Sequence, residues 1–244
     1  MRRLHATWRA LRGTPQPASE EAYWDEWVRR VRASAQDAGQ PYLGTEWGHE
    51  EGFLSTLRKY ADPTRRALEI GCGGGRITAT AAALFAHVDA ADVSQEMVHA
   101  CASAVTAKNV SFHKLDGFTL KEFGDDTVDC VYAHDVFVQL ASVEVYPYFM
   151  EMLRVLRPGG IAVASFYDFV TRFELFKTHT LRDWAARRSA RRRRLHFVTE
   201  EMIGVMLTDL GAEIVDVQKT ASFFIVVFRK AAAARNGHAQ KGTA

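Results

Sequence analysis

Hydrophobic residues near the start of the chain recur at helical spacing. Between residues 19 and 38 the apolar positions, among them Trp24 and Trp27, follow one another at steps of three and four. This spacing predicts an amphipathic helix, and Ser19 followed by two glutamates is a typical helix start. We expect this helix to pack on the main domain, where it could form part of a lid. A second helix is predicted over residues 47–60, with a buried face formed by Phe53, Leu54 and Leu57.

From residue 66 onward, short apolar runs alternate with helical patterns. This alternation predicts a mostly parallel sheet with helices on both faces, a seven-stranded α/β fold. Ligands of such sheets bind at the carboxyl ends of the strands, where the strand order reverses. The predicted strands cover residues 66–70, 87–91, 110–114, 128–133, 161–166, 214–218 and 223–229, the last two as a hairpin; the predicted helices cover residues 76–85, 94–107, 145–156 and 199–210.

The chain length suits one α/β domain with additions. It has 244 residues, enough for a full hydrophobic core. We expect an N-terminal arm with helices over residues 1–62, a main domain over residues 63–230 and a disordered Ala- and Gly-rich tail over residues 231–244. Within the main domain, residues 167–198 form an irregular insertion.

Composition changes this expectation little. Hydrophobic residues make up 48% and charged residues 25% of the chain, as in ordinary globular proteins. The longest apolar run, residues 223–228, is too short to cross a bilayer, and no signal peptide is evident, so no membrane partner is expected. Three cysteines without metal-ligand spacing predict a reducing, cytoplasmic location and no metal site.

A glycine-rich loop joins the first predicted strand to the next helix. Residues 67–78 read Ala-Leu-Glu-Ile-Gly-Cys-Gly-Gly-Gly-Arg-Ile-Thr. Such glycines let the backbone approach a ligand closely, and the acid Glu69 is unusual in a buried strand. The loop could also be a tight turn without a ligand. A dinucleotide fingerprint would need glycine at position 76, where this chain has Arg76.

Together with later landmarks, this loop resembles the first motif of the class I S-adenosylmethionine (SAM)-dependent methyltransferases. Asp92 lies 21 residues after Gly71 at the end of the second strand, where a carboxylate can accept hydrogen bonds from ribose hydroxyls. The same acid occurs in NAD enzymes. Arg157-Pro-Gly-Gly160, directly before the fifth strand, resembles another family feature. The landmarks span residues 66–166 in the family's order.

The resemblance implies SAM as the cofactor. In this family the glycine loop lies under the methionyl part of SAM, and an acid after the third strand contacts adenine. Asp116 matches that acid, although a surface turn acid is an open alternative. The residues implied to bind SAM are Glu69, Gly71, Cys72, Gly73, Asp92, Val93, Met97, Asp116, Gly117, Phe118, Ala133 and His134.

The implied reaction is attack by an acceptor atom on the SAM methyl group. An oxygen acceptor also needs its proton removed. Many relatives have histidine where this chain has Gln139, which weakens any assignment of a base there. No catalytic residue is assigned, and the candidates are His134, Asp135, Tyr167, Asp168 and His196.

The insertion forms the acceptor pocket in many family members. Here it contains four aromatic residues and seven arginines between positions 182 and 194, which with Asp183 give +6. This charge predicts a small-molecule acceptor that carries a carboxylate or phosphate. A solvated basic face, an RNA-binding or non-catalytic methyltransferase-like protein and an NAD-dependent oxidoreductase are the alternatives. The aromatic residues are Phe169, Phe173, Phe176 and Trp184.

Overall fold

A computed structural model describes residues 19–34, 50–182, 195–220 and 223–232. The predicted arm over residues 1–18, the break between the first two helices, the arginines from 187 to 194 and most of the C-terminal tail lie outside these ranges.

The fold is a seven-stranded sheet in the order β3-β2-β1-β4-β5-β7-β6. The first five strands are parallel, and β7 pairs antiparallel with both β5 and β6. The predicted α/β fold with a terminal hairpin is therefore confirmed. The strands are β1 (Arg66–Ile70), β2 (His87–Asp92), β3 (Val110–Lys114), β4 (Val128–Ala133), β5 (Leu156–Phe166), β6 (Glu213–Lys219) and β7 (Phe224–Arg229).

Six helices are described, besides short helical turns. Both predicted N-terminal helices are present, with Phe53, Leu54 and Leu57 buried as expected. Residues Phe137–Gln139 form a 3-10 turn, and residues 173–181 form a short α-turn that continues as a π-helix. The helices are α1 (Ser19–Ser34), α2 (Glu50–Tyr60), α3 (Arg76–Ala81), α4 (Gln95–Ala104), α5 (Ser142–Val155) and α6 (Glu200–Asp209).

Neighbouring residues of the central strands face opposite sides of the sheet, as strand geometry requires. Leu68, Val131 and Ala162 belong to one buried cluster. Ala67 and Tyr132 belong to a second cluster beneath α2. Two hydrophobic layers therefore hold the sheet rigidly, and polar side chains gather at the carboxyl ends of its strands.

The helix after the glycine loop is shorter than predicted. It ends at Ala81 rather than at residue 85. The Asn109 side-chain amide donates to the carbonyl oxygens of Ala82 at 2.8 Å and Phe85 at 3.1 Å. These contacts come from a residue distant in sequence and stabilise turns in place of further helix. Helix α4 likewise ends at Ala104 rather than at residue 107.

The fifth strand begins earlier than predicted. Residues 157–160, predicted as a turn, lie within β5, which starts at Leu156. The pairing with β4 shifts register here, from Val128–Leu156 to Cys130–Ile161. Gly159 adopts a φ of 80°, which only glycine tolerates readily. The turn-forming residues therefore make a bulge inside a strand.

Helix α1 packs against α4 through polar contacts. The Asp25 carboxylate accepts hydrogen bonds from the Ser94 hydroxyl at 2.5 Å and the Glu96 amide at 3.3 Å. Arg32 pairs with Glu96 at 2.9 Å. These contacts confirm that the N-terminal helix packs on the main domain. None of the helices in the described ranges has the length and apolar character needed to cross a membrane.

Candidate active site

A cavity opens at the carboxyl ends of β1, β2 and β4. The chain crosses from β1 to β2 in one direction and reaches β4 on the other side, so the strand order reverses here. The space measures about 900 Å³, including the part open to solvent. Its lining residues come from the ends of β1 and β2, from the loops after β1, β2, β3 and β4, from α1, and from α3, α4 and α5. They are Trp24, Glu69, Ile70, Gly71, Cys72, Gly73, Gly74, Arg76, Ile77, Asp92, Val93, Met97, Leu115, Gly117, His134, Asp135, Val136, Gln139, Leu140 and Tyr148.

The glycine loop forms one wall of this cavity through its backbone. The amides of Gly71 and Cys72 both donate to the Ala91 carbonyl oxygen, at 2.7 and 3.0 Å. A Cβ at Gly71 would lie 2.3 Å from the Val136 side chain, so no larger residue fits there. A Cβ at Gly73 would meet no atom within 4 Å, and its φ is 51°. Any side chain at Gly73 would therefore occupy space beside the cavity.

Asp92 holds the loop from the end of β2. Its carboxylate accepts the Gly73 amide at 3.0 Å and the Ser94 amide at 2.8 Å. A carboxylate offers about four acceptor positions, and these two amides take one on each of its oxygens. The residue is buried yet lines the cavity. This geometry suits an acid that binds hydroxyl groups of a ligand while it fixes the loop.

Glu69 is a buried acid within β1. The Thr78 hydroxyl donates to its carboxylate at 2.6 Å, and the Tyr132 hydroxyl lies at 3.3 Å from the same oxygen. Burial raises the pKa of Glu69 to about 8, although these hydrogen bonds and the charge of Arg76 oppose the shift. The carboxyl group therefore holds a proton at neutral pH, and a cationic group in the cavity would favour its release.

Three of the residues that the resemblance implied are absent from the cavity wall as described: Asp116, Phe118 and Ala133. The Asp116 carboxylate accepts the amides of Phe118 at 2.9 Å and Thr119 at 2.7 Å. Burial alone would raise the pKa of Asp116, but these bonds outweigh burial and lower it. The structure thus gives this acid a role within its own turn, and the adenine contact stays a prediction.

His134 and Asp135 line the cavity on the β4 side. The His134 ring stacks on Phe53 with centroids 4.5 Å apart, and its Nδ1 lies 3.1 Å from the Ser165 hydroxyl. Asp135 adopts a φ of 62°, rare for a residue other than glycine. Its amide donates to the Ser165 hydroxyl at 3.0 Å. A left-handed backbone beside a cavity is typical of a functional position.

The other catalytic candidates lie beyond the described lining. Tyr167 stacks on Phe223 at 5.1 Å. Burial, with the charge of Asp135, raises the pKa of Tyr167 to about 12, so its hydroxyl is neutral and cannot act as a base at neutral pH. The Asp168 carboxylate accepts the amides of the next turn at 3.2 Å. The His196 amide donates to Val138 at 2.7 Å, which joins the two loops.

Several lining residues had no assigned role in the sequence prediction. Trp24 belongs to the amphipathic stripe of α1, so its place at the cavity agrees with the idea of a lid. Arg76 directly follows the last glycine of the loop. In the sequence analysis it was used only as an argument against a dinucleotide fingerprint. Tyr148 lies on α5 among apolar residues, so its pattern is that of a core position. Only the tertiary fold brings these residues together.

The fold is that of the class I methyltransferases. A family model described as "Methyltransferase domain" matches residues 68–164. A similar solved structure is that of magnesium protoporphyrin IX methyltransferase from Synechocystis with bound S-adenosylhomocysteine (SAH), whose sequence is 17% identical to this chain. That likeness has a TM-score of 0.66 and covers 86% of this chain and 98% of the other.

Two curated relatives share part of the sequence. A ubiquinone biosynthesis O-methyltransferase from Rhizobium leguminosarum is 29% identical over 65% of this chain and 62% of its own length. A ribosomal protein L11 methyltransferase from Campylobacter concisus is 28% identical over 58% of this chain and 49% of its own length. The chain thus spans less than two thirds of the length of either relative. The glycine loop lies within the residues that the methyltransferase-domain model matches.

Proposed function

We propose that this protein transfers the methyl group of SAM to an oxygen or nitrogen atom of a small-molecule acceptor. The observation that carries the proposal is the shared wall formed by the Gly71–Gly74 loop and Asp92. When bound, SAM supplies an electrophilic methyl group on a positively charged sulfur. The open space at Gly73 and the cavity-lining carboxylate of Asp92 fit its methionyl and ribose parts.

The residues of this chain contribute by holding and orienting the reactants. Gly71 and Gly73 present backbone without side chains, and Asp92 would accept hydrogen bonds from the ribose hydroxyl groups. Fixing two reactants in line can lower a barrier by roughly 7–11 kcal/mol. The two buried hydrophobic layers keep β1, β2 and β4 in register, so this alignment costs little further ordering when the reactants bind.

We assign the removal of an acceptor proton to Asp135. Of the candidate bases, only His134 and Asp135 line the cavity within the described residues. The His134 ring is packed between Phe53 and Phe223, whereas Asp135, just after β4, is only half-buried. The names of the curated O-methyltransferase and of the porphyrin enzyme support an oxygen or small-molecule acceptor. Because another relative is named as a ribosomal protein methyltransferase, the test below also includes macromolecular acceptors.

The arginine-rich insertion also leads us to propose that the acceptor carries a carboxylate or phosphate. Most of the arginines between 182 and 194 lie outside the described residues. Two cations of the insertion are among the described residues. Arg172 lies 5.6 Å from the ring centroid of Tyr167, and Lys177 lies 5.4 Å from that of Phe173. A carboxylate or phosphate near these rings would meet positive charge.

Transfer of labelled methyl groups tests the proposal. The full chain is incubated with methyl-labelled SAM and pools of phenols, carboxylic acids, phosphate esters, RNA and ribosomal protein. Label in a small-molecule pool is the expected result. Label only in RNA or protein would overturn the small-molecule acceptor, and binding of NAD in place of SAM in calorimetry would overturn the methyltransferase itself. Asp135→Asn should lower kcat while the Kd of SAM is unchanged.

A further inference from the structure

One buried hydroxyl, that of Ser165 in β5, connects the two cavity-lining residues that directly follow β4. Ser165 is fully buried. Its hydroxyl oxygen lies 3.0 Å from the Asp135 amide nitrogen and 3.1 Å from Nδ1 of the His134 ring. In the part of the chain that the structure describes, this hydroxyl has no further hydrogen bond. Its single hydrogen therefore decides which nitrogen of His134 carries a proton.

The direction of each hydrogen bond follows from the chemistry of the groups. The Asp135 amide can only donate, so the Ser165 oxygen accepts from it. The hydroxyl hydrogen then needs an acceptor, because a buried donor without one is costly. His134 Nδ1 is the acceptor in contact, and it can accept only when it carries no proton itself. The ring is therefore neutral, with its proton on Nε2.

The same hydroxyl also holds the backbone of Asp135. The φ of 62° at this residue is unfavourable for a residue with a side chain, so it needs support from its surroundings. Ser165 binds the Asp135 amide, and the Gln139 side-chain amide donates to the Asp135 carbonyl oxygen at 2.9 Å. The peptide groups on both sides of this left-handed residue are thus fixed, and with them the direction in which its side chain starts.

We infer that Ser165 is a positioning residue for methyl transfer. By donating to His134 it fixes the neutral tautomer with the proton on Nε2, and by accepting from Asp135 it fixes the backbone of the residue that we assign as the base. The role through Asp135 rests on the proposed function, whereas the tautomer of His134 does not. Within the described ranges the hydroxyl has no hydrogen bond to the glycine loop or to Asp92, so its loss should leave the SAM side of the cavity in place.

Nitrogen NMR of the isotope-labelled full chain tests the tautomer without any ligand or turnover. The His134 signals are identified by their loss in His134→Gln. At neutral pH we expect an unprotonated Nδ1 and a protonated Nε2, and Ser165→Ala should shift part of the proton population to Nδ1. A proton on Nδ1 in the unaltered protein would overturn the inference, whether or not the alanine variant folds. Identical His134 signals in a folded Ser165→Ala protein would overturn it as well.

Kinetics and calorimetry with SAM test the positioning role. With methyl-labelled SAM and the acceptor pool that takes up label, Ser165→Ala should lower kcat roughly tenfold or more, because a misplacement of about 1 Å can cost about a hundredfold. The Kd of SAM should change by less than about twofold.

Thr56→Val is the matched control, because it removes another fully buried hydroxyl, which donates to Gln218 at 2.8 Å. It should lower the melting temperature about as much as Ser165→Ala does. We expect its kcat and its His134 signals to equal those of the unaltered protein.

The outcomes separate this inference from the proposed function. An unchanged kcat in folded Ser165→Ala, or an equal fall of kcat in Thr56→Val, would overturn the positioning role. Weaker SAM binding with an unchanged kcat would make Ser165 a general structural residue, which also overturns it. If the unaltered protein labels none of the pools, the proposed function fails, and the NMR spectra alone decide whether Ser165 sets the tautomer of His134.

Discussion

The two sides of the cavity are made from different kinds of contact. On the β1 and β2 side, backbone amides of the glycine loop bind Ala91 and Asp92 at 2.7–3.0 Å. On the β4 and β5 side, the lining residue His134 is held by ring contacts with Phe53 and Phe223, and Phe223 stacks on Tyr167 behind the lining. The first side presents main chain to the cavity, and the second presents a side chain that is held by rings behind it.

This difference bears on which side can change. A backbone wall depends on a few glycines and one acid, and a substitution there alters the path of the chain itself. A wall of ring contacts can be repacked with other side chains of similar volume at modest cost. Four experiments test this contrast, beginning with the largest expected effect.

Gly73→Val should abolish SAM binding, with a loss of roughly a hundredfold or more, because the branched side chain would enter open space at a left-handed backbone position. Gly159→Val is the matched control. Gly159 also has positive φ and open space, but lies at the start of β5. Calorimetry should show normal SAM affinity in the control, and similar losses of melting temperature in both. Retained SAM binding in Gly73→Val would contradict the backbone wall.

Asp92→Ala should weaken SAM binding about tenfold or more, because each charge-assisted hydrogen bond contributes about 1.5–3 kcal/mol. The variant also releases the Gly73 amide, so Asp92→Asn serves as a companion that keeps one oxygen acceptor. We expect the SAM affinity of Asp92→Asn to lie between those of the unaltered protein and Asp92→Ala. An unchanged Kd in a folded Asp92→Ala protein would show that this acid does not bind the ribose.

Glu69→Gln should change how stability depends on pH. The pKa of Glu69 is raised from 4.5 to about 8 in the folded protein, so its contribution is fully present below pH 4.5 and is lost as the pH rises through 8. Relative to the glutamine variant, the unaltered protein should lose about 3–4 kcal/mol of unfolding free energy between pH 5 and pH 8. Denaturant titrations at both pH values measure this difference. Parallel curves would mean that Glu69 is ionised throughout.

Tyr167→Phe should have the smallest effect. Because the raised pKa keeps this hydroxyl neutral, its removal should change kcat/KM by less than about threefold and leave the alkaline limb of the pH–rate profile in place. The phenylalanine ring of the variant would continue to stack on Phe223. A fall in kcat of about a hundredfold, within the range for a general base, would make Tyr167 part of the chemistry and weaken the contrast between the two walls.

The sequence predicted the backbone side of the cavity better than the side-chain side. Strand ends and glycines are local signals, so the loop at 71–75 and the acid at position 92 could be read directly. Asp116 shows the limit, because an acid bound by its own turn and an acid that binds a ligand look alike in sequence. Tyr148 lies far from the loop along the chain, and nothing in its own segment indicates the cavity.

Element boundaries failed for a similar reason. The end of α3 at Ala81 depends on the amide of Asn109, and the early start of β5 depends on its pairing with Val128. Both are tertiary effects that local helix and turn preferences cannot contain.

The central place of β1 also fixes when the cavity can form. Glu69 lies beside Ala90 on one neighbouring strand and beside Tyr132 on the other, a partner 63 residues away. Val136, which packs against Gly71, is just as distant. Closing a loop of this length costs chain entropy before any contact repays it. During synthesis the glycine loop is therefore complete in sequence long before it is held in shape, and a nascent chain that ends before β4 has no cofactor site.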